Sequence, residues 1–285
     1  MNNKKRLTTD LILFIASIIW GLGYFFQKSA SETTKALTFN CMRYIVAALV
    51  LLVLAKFRLP PKGEARKYAI LTGFVMILGG NCQQIGMETS PIGNASFITA
   101  IYIVLVPFLA GLILHRKIKW TNYLAALISL CGLYLITTAG NGLERISAGD
   151  MIVLAGSFFW ALQILCVDKG VSLCDPISFT ACEFLTAAVL QLLIWLTFGG
   201  HDLSGASQSW PYALASGILV LGIAFAMQSY GQKHTSESEA SIIMGLESVF
   251  GAVFGILLYH EQFLPAKGLG MVLIFGAVLL AVLKG

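Results

Sequence analysis

Ten mostly apolar runs of about 20 residues follow one another with only short connections, and no other feature constrains the fold as much. They lie at roughly 9–27, 36–55, 67–87, 92–114, 119–138, 150–168, 177–197, 209–230, 238–259 and 264–283. A helix of about 20 apolar residues crosses the hydrocarbon core of a bilayer, where the backbone must satisfy its own hydrogen bonds. The chain has 285 residues, 57% of them hydrophobic and 12% charged. A soluble domain is about a quarter charged, and one soluble core could not hide this much apolar side chain. The reading is an all-α integral membrane protein with ten transmembrane helices and no inserted soluble domain. The first run follows "MNNKKR", as a signal peptide would. It is too long for one and lacks a small-x-small cleavage site, so it reads as a retained first helix.

Lysine and arginine in the connections predict the orientation. With the N-terminus in the cytoplasm, the inner segments hold Lys4, Lys5, Arg6, Lys56, Arg58, Lys62, Arg66, Lys67, Arg116, Lys117, Lys119, Lys169, Lys233 and Lys284. The outer segments hold only Lys28, Lys35, Arg145 and Lys267, and Arg43 lies within a span. Fourteen against four places both termini in the cytoplasm.

The chain also repeats itself. "SIIWGLGYFFQKS" from Ser17 aligns with "SFFWALQILCVDKG" from Ser157, putting Trp20 on Trp160. "LTFNCMRYIVAALV" from Leu37 aligns with "ISFTACEFLTAAVL" from Ile177 at the same offset of 140. Further on, Ala95-Ser96 falls on Ala240-Ser241 at offset 145. Runs one to five therefore resemble runs six to ten, with halves expected at 1–142 and 143–285. Five is odd, so the second half must cross the membrane in the opposite sense. This is an inverted-topology repeat, and such repeats place substrate sites near the midplane where the halves meet. Glu247 then falls near the middle of the ninth span and its mate Tyr102 near the middle of the fourth.

These residues resemble the drug/metabolite transporter superfamily, in its EamA-type ten-helix branch. "MRYIVAALVLLVLA" resembles the arginine-aromatic motif of the second helix. "ETSPIGNASFI" and "HTSESEAS" resemble the stretches that open helices four and nine. "GLESVFGAVFGILLYHE" resembles the family's Leu-Glu-Pro-Val signature. Two positions depart from the pattern: Ser248 stands where the family carries proline, and Arg116 where a glycine-glutamate pair is frequent. The resemblance implies a central cavity lined by spans 1, 3, 4, 6, 8 and 9, and movement of small metabolites, most often export of amino acids.

The polar residues inside the spans are the candidates for chemistry. A charge at the bilayer centre costs roughly 2.5–3.5 kcal/mol on insertion scales. Glu247 therefore reads as the partner of a cationic substrate group, as a proton-coupling carboxyl, or as a hydrogen-bonded acid that pins its helix to a neighbour. By helical spacing Ile243, Met244, Phe250 and Phe254 share its side. Trp20, Tyr24, Tyr102 and Trp160 are candidate cavity walls, because the tryptophans lie nearer mid-span than an interfacial belt would put them. Asn81 and Gln84, in "GGNCQQIG", and Gln163, one turn from Trp160, are candidate hydrogen-bonding residues; the competing reading is hydrogen bonding between helices. Gln84 pairs with Gln228 at offset 144. Arg43 and Glu183 are repeat mates of opposite charge at different depths, so Arg43 is expected to hold its own half together or to snorkel outward. "GAVFG" at 251–255 reads as a close-packing face within one protomer rather than a dimer contact.

The candidate substrate-binding set is thus Trp20, Tyr24, Asn81, Gln84, Tyr102, Trp160, Gln163, Met244 and Glu247, with Glu247 also the proton-coupling candidate. No cofactor is implied. The six cysteines contain no C-x-x-C pair and the four histidines sit at run ends, so no metal site is read from them. The expected partners are a small-molecule substrate and the lipid bilayer, with no nucleic acid, and a monomer is favoured. The reading is a secondary transporter of the cell membrane that exports a small metabolite such as an amino acid by alternating access. The alternative is a proton-coupled exporter of cationic drug-like or guanidinium-like solutes. A membrane enzyme lacks a nucleophile–base set in this sequence, and the repeat disfavours a channel.

Overall fold

The computed structural model describes residues 3–115, 117, 119–138, 147–199 and 201–284. Arg116, Arg145 and the expected boundary at 142/143 lie outside the described residues. Among the described residues all regular structure is helical and forms ten passes. The first half comprises α1 (Asn3–Ser31), α2 (Ala36–Leu54), α3 (Glu64–Gly86), a broken pass made of α4 (Ile92–Thr99) and α5 (Tyr102–Ile113), and α6 (Trp120–Thr138). The second comprises α7 (Ala148–Val171) and α8 (Pro176–Phe198), then α9 (Ala206–Ala215), which runs through a π-helical stretch (Ser216–Ile223) into α10 (Ala224–Gln232). Another broken pass, α11 (Glu237–Met244) and α12 (Glu247–Tyr259), precedes α13 (Pro265–Lys284). Seven passes are long and apolar enough to cross a membrane by length and composition alone. The charged start of α3, at Glu64, Arg66 and Lys67, and its polar end explain why that pass is less apolar.

Element boundaries carry the repeat further than residue identity does. α1 ends at Ser31 and α7 at Val171, and α2 begins at Ala36 and α8 at Pro176, all at offset 140. α4 and α11 begin at Ile92 and Glu237, and α5 and α12 at Tyr102 and Glu247, all at offset 145. Packing obeys the same exchange. α3 packs on α7 as α9, the π stretch and α10 pack on α1; α4 and α5 pack on α7 as α11 and α12 pack on α1. The α2–α8 and α6–α13 contacts map onto themselves, as contacts across a two-fold axis must. With five passes per half, the halves run in opposite senses and both chain ends lie on one face.

Helix starts follow local chemistry. Ser147 caps α7 by accepting from the Asp150 N–H at 3.1 Å, while Asp150 Oδ2 accepts from the Ser147 N–H at 2.8 Å. Asp175 caps α8 through the Ser178 N–H, with Pro176 in the first turn. Ser236 caps α11 through the Glu239 N–H. These side chains satisfy donors that a helix start leaves open. α4 begins after Pro91 with no such side-chain cap. Its Gly93 N–H instead donates to both carboxylate oxygens of Glu261 at 3.3 Å, across to the other half.

The face opposite the chain ends carries further polar contacts, one set within the first half and the others between the halves. Lys28 Nζ donates to the carbonyls of Met87 and Ser90. Ser90 Oγ donates to Asp150, and Thr34 Oγ1 to Ser209. Lys35 pairs with Asp202 at 2.8 Å. The hydrogen bond from the Lys35 ammonium, with help from Ser204, holds the Asp202 carboxyl well below the usual carboxylate range. A lowered folded-state value adds stability above the ordinary aspartate value of about 3.9, and that stability is lost as pH falls through the folded value. Asp202→Asn should therefore melt slightly below the wild type at neutral pH. The gap should close on acidification, since the wild type alone then loses the pair. The effect is small because the pair is solvated. Melting curves between neutral and strongly acid pH check it, and a gap that widens toward acid would contradict the assignment.

Candidate functional site

Both broken passes bend at mid-depth, and neither break is made by proline. At the first, the Ile101 N–H donates to Ile98 O and the Ile103 N–H to Ala100 O. At the second, the Leu246 N–H donates to Ile243 O and the Ser248 N–H to Gly245 O. Bonds spaced three residues apart replace the four-residue pattern and tighten the turn. The family's proline position holds Ser248, whose hydroxyl returns to Gly245 O at 2.7 Å; the irregularity lies just before Glu247. Gly245 lets the two breaks pack closely, because a Cβ there would overlap the Ile103 side chain of the opposing pass. Tyr102 and Glu247 are consequently the first residues of α5 and α12. Glu247 sits at the positive end of the α12 dipole, which favours a negative charge.

A cavity of about 50 Å³ lies between the halves at this depth. Glu247 forms one wall and is 6% exposed. Tyr24 and Tyr102 lie beside its carboxylate, while its Oε1 is buried with no hydrogen-bond partner among the described residues. Trp20 and Trp160, the repeat mates, flank Phe225 with ring centroids at 5.1 and 6.0 Å. Each indole N–H is anchored, Trp20 to Val220 O of the π-helical stretch at 3.2 Å and Trp160 to Gln83 Oε1 at 2.9 Å. Gln83 in turn donates to Gln27 Oε1 at 3.1 Å. On the other side Gln228 donates to Gln163 Oε1 at 3.0 Å, and Gln163 donates to Glu183 Oε1 at 2.9 Å. The Trp160 ring is thus held by an amide that itself lines the cavity.

Of the nine sequence-derived candidates, Trp20, Tyr24, Tyr102, Trp160, Gln163, Met244 and Glu247 line this cavity; Asn81 and Gln84 do not. Asn81 turns toward α2 and α8, donating to Gln191 Oε1 at 2.8 Å and accepting from Asn40 at 2.7 Å. Gln84 is fully buried and donates to Gln27 O at 3.1 Å. Gln83 takes the cavity position, so its mate across the two-fold is Gln228 at offset 145 rather than Gln84 with Gln228 at 144. Adjacent helical residues point about 100° apart, and a run of three polar residues does not reveal which one faces inward. Ile243, Phe250 and Phe254, grouped with Glu247 by helical spacing, are also absent from the cavity lining. The break at Gly245–Leu246 resets the helical phase only for Ile243; Phe250 and Phe254 share α12 with Glu247 and are nevertheless not part of the lining. Phe250 packs instead on Phe14 at 5.6 Å. Gly251 and Gly255 pack within the protomer, against Ser96 and Glu261.

Of the two expectations for Arg43, the structure favours holding its own half together over snorkelling: it is 2% exposed and its Nε donates to Asn40 Oδ1 at 2.8 Å. Its Nη1 also reaches Ser216 Oγ of the other half at 3.5 Å, and the residue lines the cavity. It does not pair with Glu183 among the described residues. Gln27, Thr99 and Phe225 also line the cavity and were missed; Gln83, part of the same polar run as Asn81 and Gln84, and Gln228 line it too but stood outside the candidate set. The one usable sequence signal for Arg43 was its position as a lone cation inside a span.

The comparisons with known proteins agree with this architecture. The sequence profile of the EamA-like transporter family matches residues 7–138 and again residues 147–283, once in each half. An uncharacterized transporter of Archaeoglobus fulgidus is 25% identical over 297 residues, covering 98% of this chain and 87% of that protein. The uncharacterized inner membrane transporter YedA of Escherichia coli K12 is 28% identical over 298 residues, covering 99% and 93%. A solved crystal structure superposes with a TM-score of 0.80 at 15% identity, over 98% of this chain and 99% of that one; at that identity it speaks to the fold. With the profile matched over nearly its full length, this multi-pass membrane protein belongs to the EamA-like transporter family.

Proposed function

We propose that the chain is a secondary transporter that exports a small metabolite such as an amino acid, rocking the halves 1–142 and 143–285 around the central cavity. Both termini are cytoplasmic in this scheme, as the lysine and arginine bias requires. The observation that carries it is the position of Glu247: a buried carboxylate at a helix break, where the two inverted halves meet in one aromatic-walled cavity. Irregular backbone at membrane depth is tolerated where it lines such a cavity. The polar fastening of the opposite face suits a state closed on that side. Proteoliposomes loaded with a panel of unlabelled amino acids test it by counterflow of the labelled compound. Saturable exchange dependent on Glu247 is the expected result, and its absence across the panel refutes the amino-acid assignment.

The alternative, proton-coupled export of cationic or guanidinium-like solutes, draws support from the unpartnered Glu247 Oε1 among aromatic rings. Arg43 in the same cavity wall weighs against it by repelling a purely cationic solute. An imposed proton gradient that drives amine uptake but not amino-acid exchange would favour this alternative.

A further inference from the structure

Arg43 is a buried cation without an acid. Removing a charge from water is unfavourable unless it is paired and hydrogen-bonded, yet no carboxylate pairs with this guanidinium among the described residues. Its compensation is partial. Nε is held by Asn40, Nη1 reaches Ser216 only at 3.5 Å, and Nη2 makes no hydrogen bond among the described residues. The rings of Phe39 and Tyr44 lie 5.3 and 5.7 Å from its Cζ.

The group is nevertheless fixed. Asn40 places Oδ1 on Arg43 because its Nδ2 is committed to Asn81 Oδ1 at 2.7 Å and to Gly80 O at 3.2 Å. Asn81 is committed in turn to Gln191. This explains why Asn81 is absent from the cavity: it supports the residue that orients Arg43. A guanidinium held by one edge offers its remaining N–H groups as a planar fork, the geometry that recognises carboxylate or phosphate.

The same cavity holds the complementary deficit, since among the described residues Glu247 Oε1 and Gln228 Oε1 are buried acceptors without donors. Arg43 lacks an acceptor on one edge, and these two groups lack donors.

From these deficits the geometry points to Arg43 as an oxyanion-binding residue that selects ligands carrying a carboxylate, with a ligand amino group directed to the Glu247 side. The inference rests on the transport reading and narrows it to zwitterions with an apolar body that fits the Trp20–Phe225–Trp160 surface. A dianionic phosphate is disfavoured by Glu247. Asn81 is a positioning residue in this scheme.

The test uses the full chain in nanodiscs. Binding is measured for L-leucine, L-phenylalanine and L-tryptophan, for the amines lacking their carboxylate, for 3-phenylpropionate lacking the amine, and for inorganic phosphate. The wild type should prefer each amino acid over its amine by about tenfold or more, the value of one charge-assisted contact. Arg43→Gln should bring that ratio close to one, and Arg43→Lys should restore part of it. Melting curves confirm that both variants fold. A wild type that binds amines as tightly as amino acids, or an Arg43→Gln protein with an unaltered ratio, overturns the proposal. Arg43-dependent binding of 3-phenylpropionate or phosphate without amino-acid binding would refute the amino-acid reading and leave the oxyanion site standing. No Arg43-dependent binding across the panel removes the site.

Discussion

Glu247→Gln should fold, melt no lower than the wild type, and lose saturable transport of an amine-bearing substrate. Glutamine has the shape of glutamate and keeps a carbonyl that Tyr24 and Tyr102 can approach. It removes a charge from a site 6% exposed at mid-span, so the folded state is relieved of part of the cost of holding that charge in the membrane. What disappears is the charge-assisted contact to a ligand cation. Such contacts contribute about 1.5–3 kcal/mol, or roughly tenfold to a hundredfold in affinity. Under the proton-coupled alternative the same variant retains binding and loses its dependence on the proton gradient. Binding in nanodiscs and gradient-driven flux in proteoliposomes separate these outcomes. Unchanged transport would remove Glu247 from both schemes and leave it a helix-pinning acid.

The second large effect is expected at Gly21→Ala. α1 crosses α12 here so closely that a Cβ on Gly21 would overlap Phe250 Cβ and lie 2.9 Å from Gly251 N and from the Phe250 carbonyl carbon. Two of these neighbours are backbone, so a rotamer change cannot absorb the methyl group and α12 must move away. Overpacking of this kind costs about 1–3 kcal/mol. Because α12 begins with Glu247, the displacement should also weaken ligand binding without altering any cavity residue. Gly276→Ala is the matched control: nothing lies within 4 Å of its added Cβ, and glycine to alanine in an open helix position gains up to about 1 kcal/mol. Melting of both variants in one detergent gives the comparison. A Gly21→Ala protein that melts with the wild type would show that the α1–α12 contact has slack.

The two halves were legible because their signals are local. Helices that cross a membrane must be apolar for about 20 residues, so their number can be counted. Trp20 and Trp160 keep an offset of 140 because both stand at equivalent places in equivalent helices. Glu247 was legible for a related reason: an acid within an apolar run is costly wherever the helix packs. The two helix breaks were not legible. No proline marks either one, and each depends on hydrogen bonds that shift from four-residue to three-residue spacing where the two passes meet. Gly245 in isolation is one glycine among 28, and its role emerges only when Ile103 is seen against it.

The candidate site divides along the same line. By itself the sequence determined that this chain is a ten-pass membrane protein with an inverted repeat, and that an acid and several large aromatic residues lie near its midplane. Those properties follow from the bilayer, which acts on each segment separately. Only the tertiary structure decided which of the adjacent Gln83 and Gln84 faces the cavity, that Asn81 bonds to the Asn40 that holds Arg43, and that Ile243, Phe250 and Phe254 do not line the cavity with Glu247. It also decided that Arg43 stays inside, held by Asn40 and reaching Ser216 from the opposite half. Rotation about a helix axis and contact between residues 173 positions apart depend on how ten helices pack together, and a one-dimensional pattern of apolar runs carries no record of that packing.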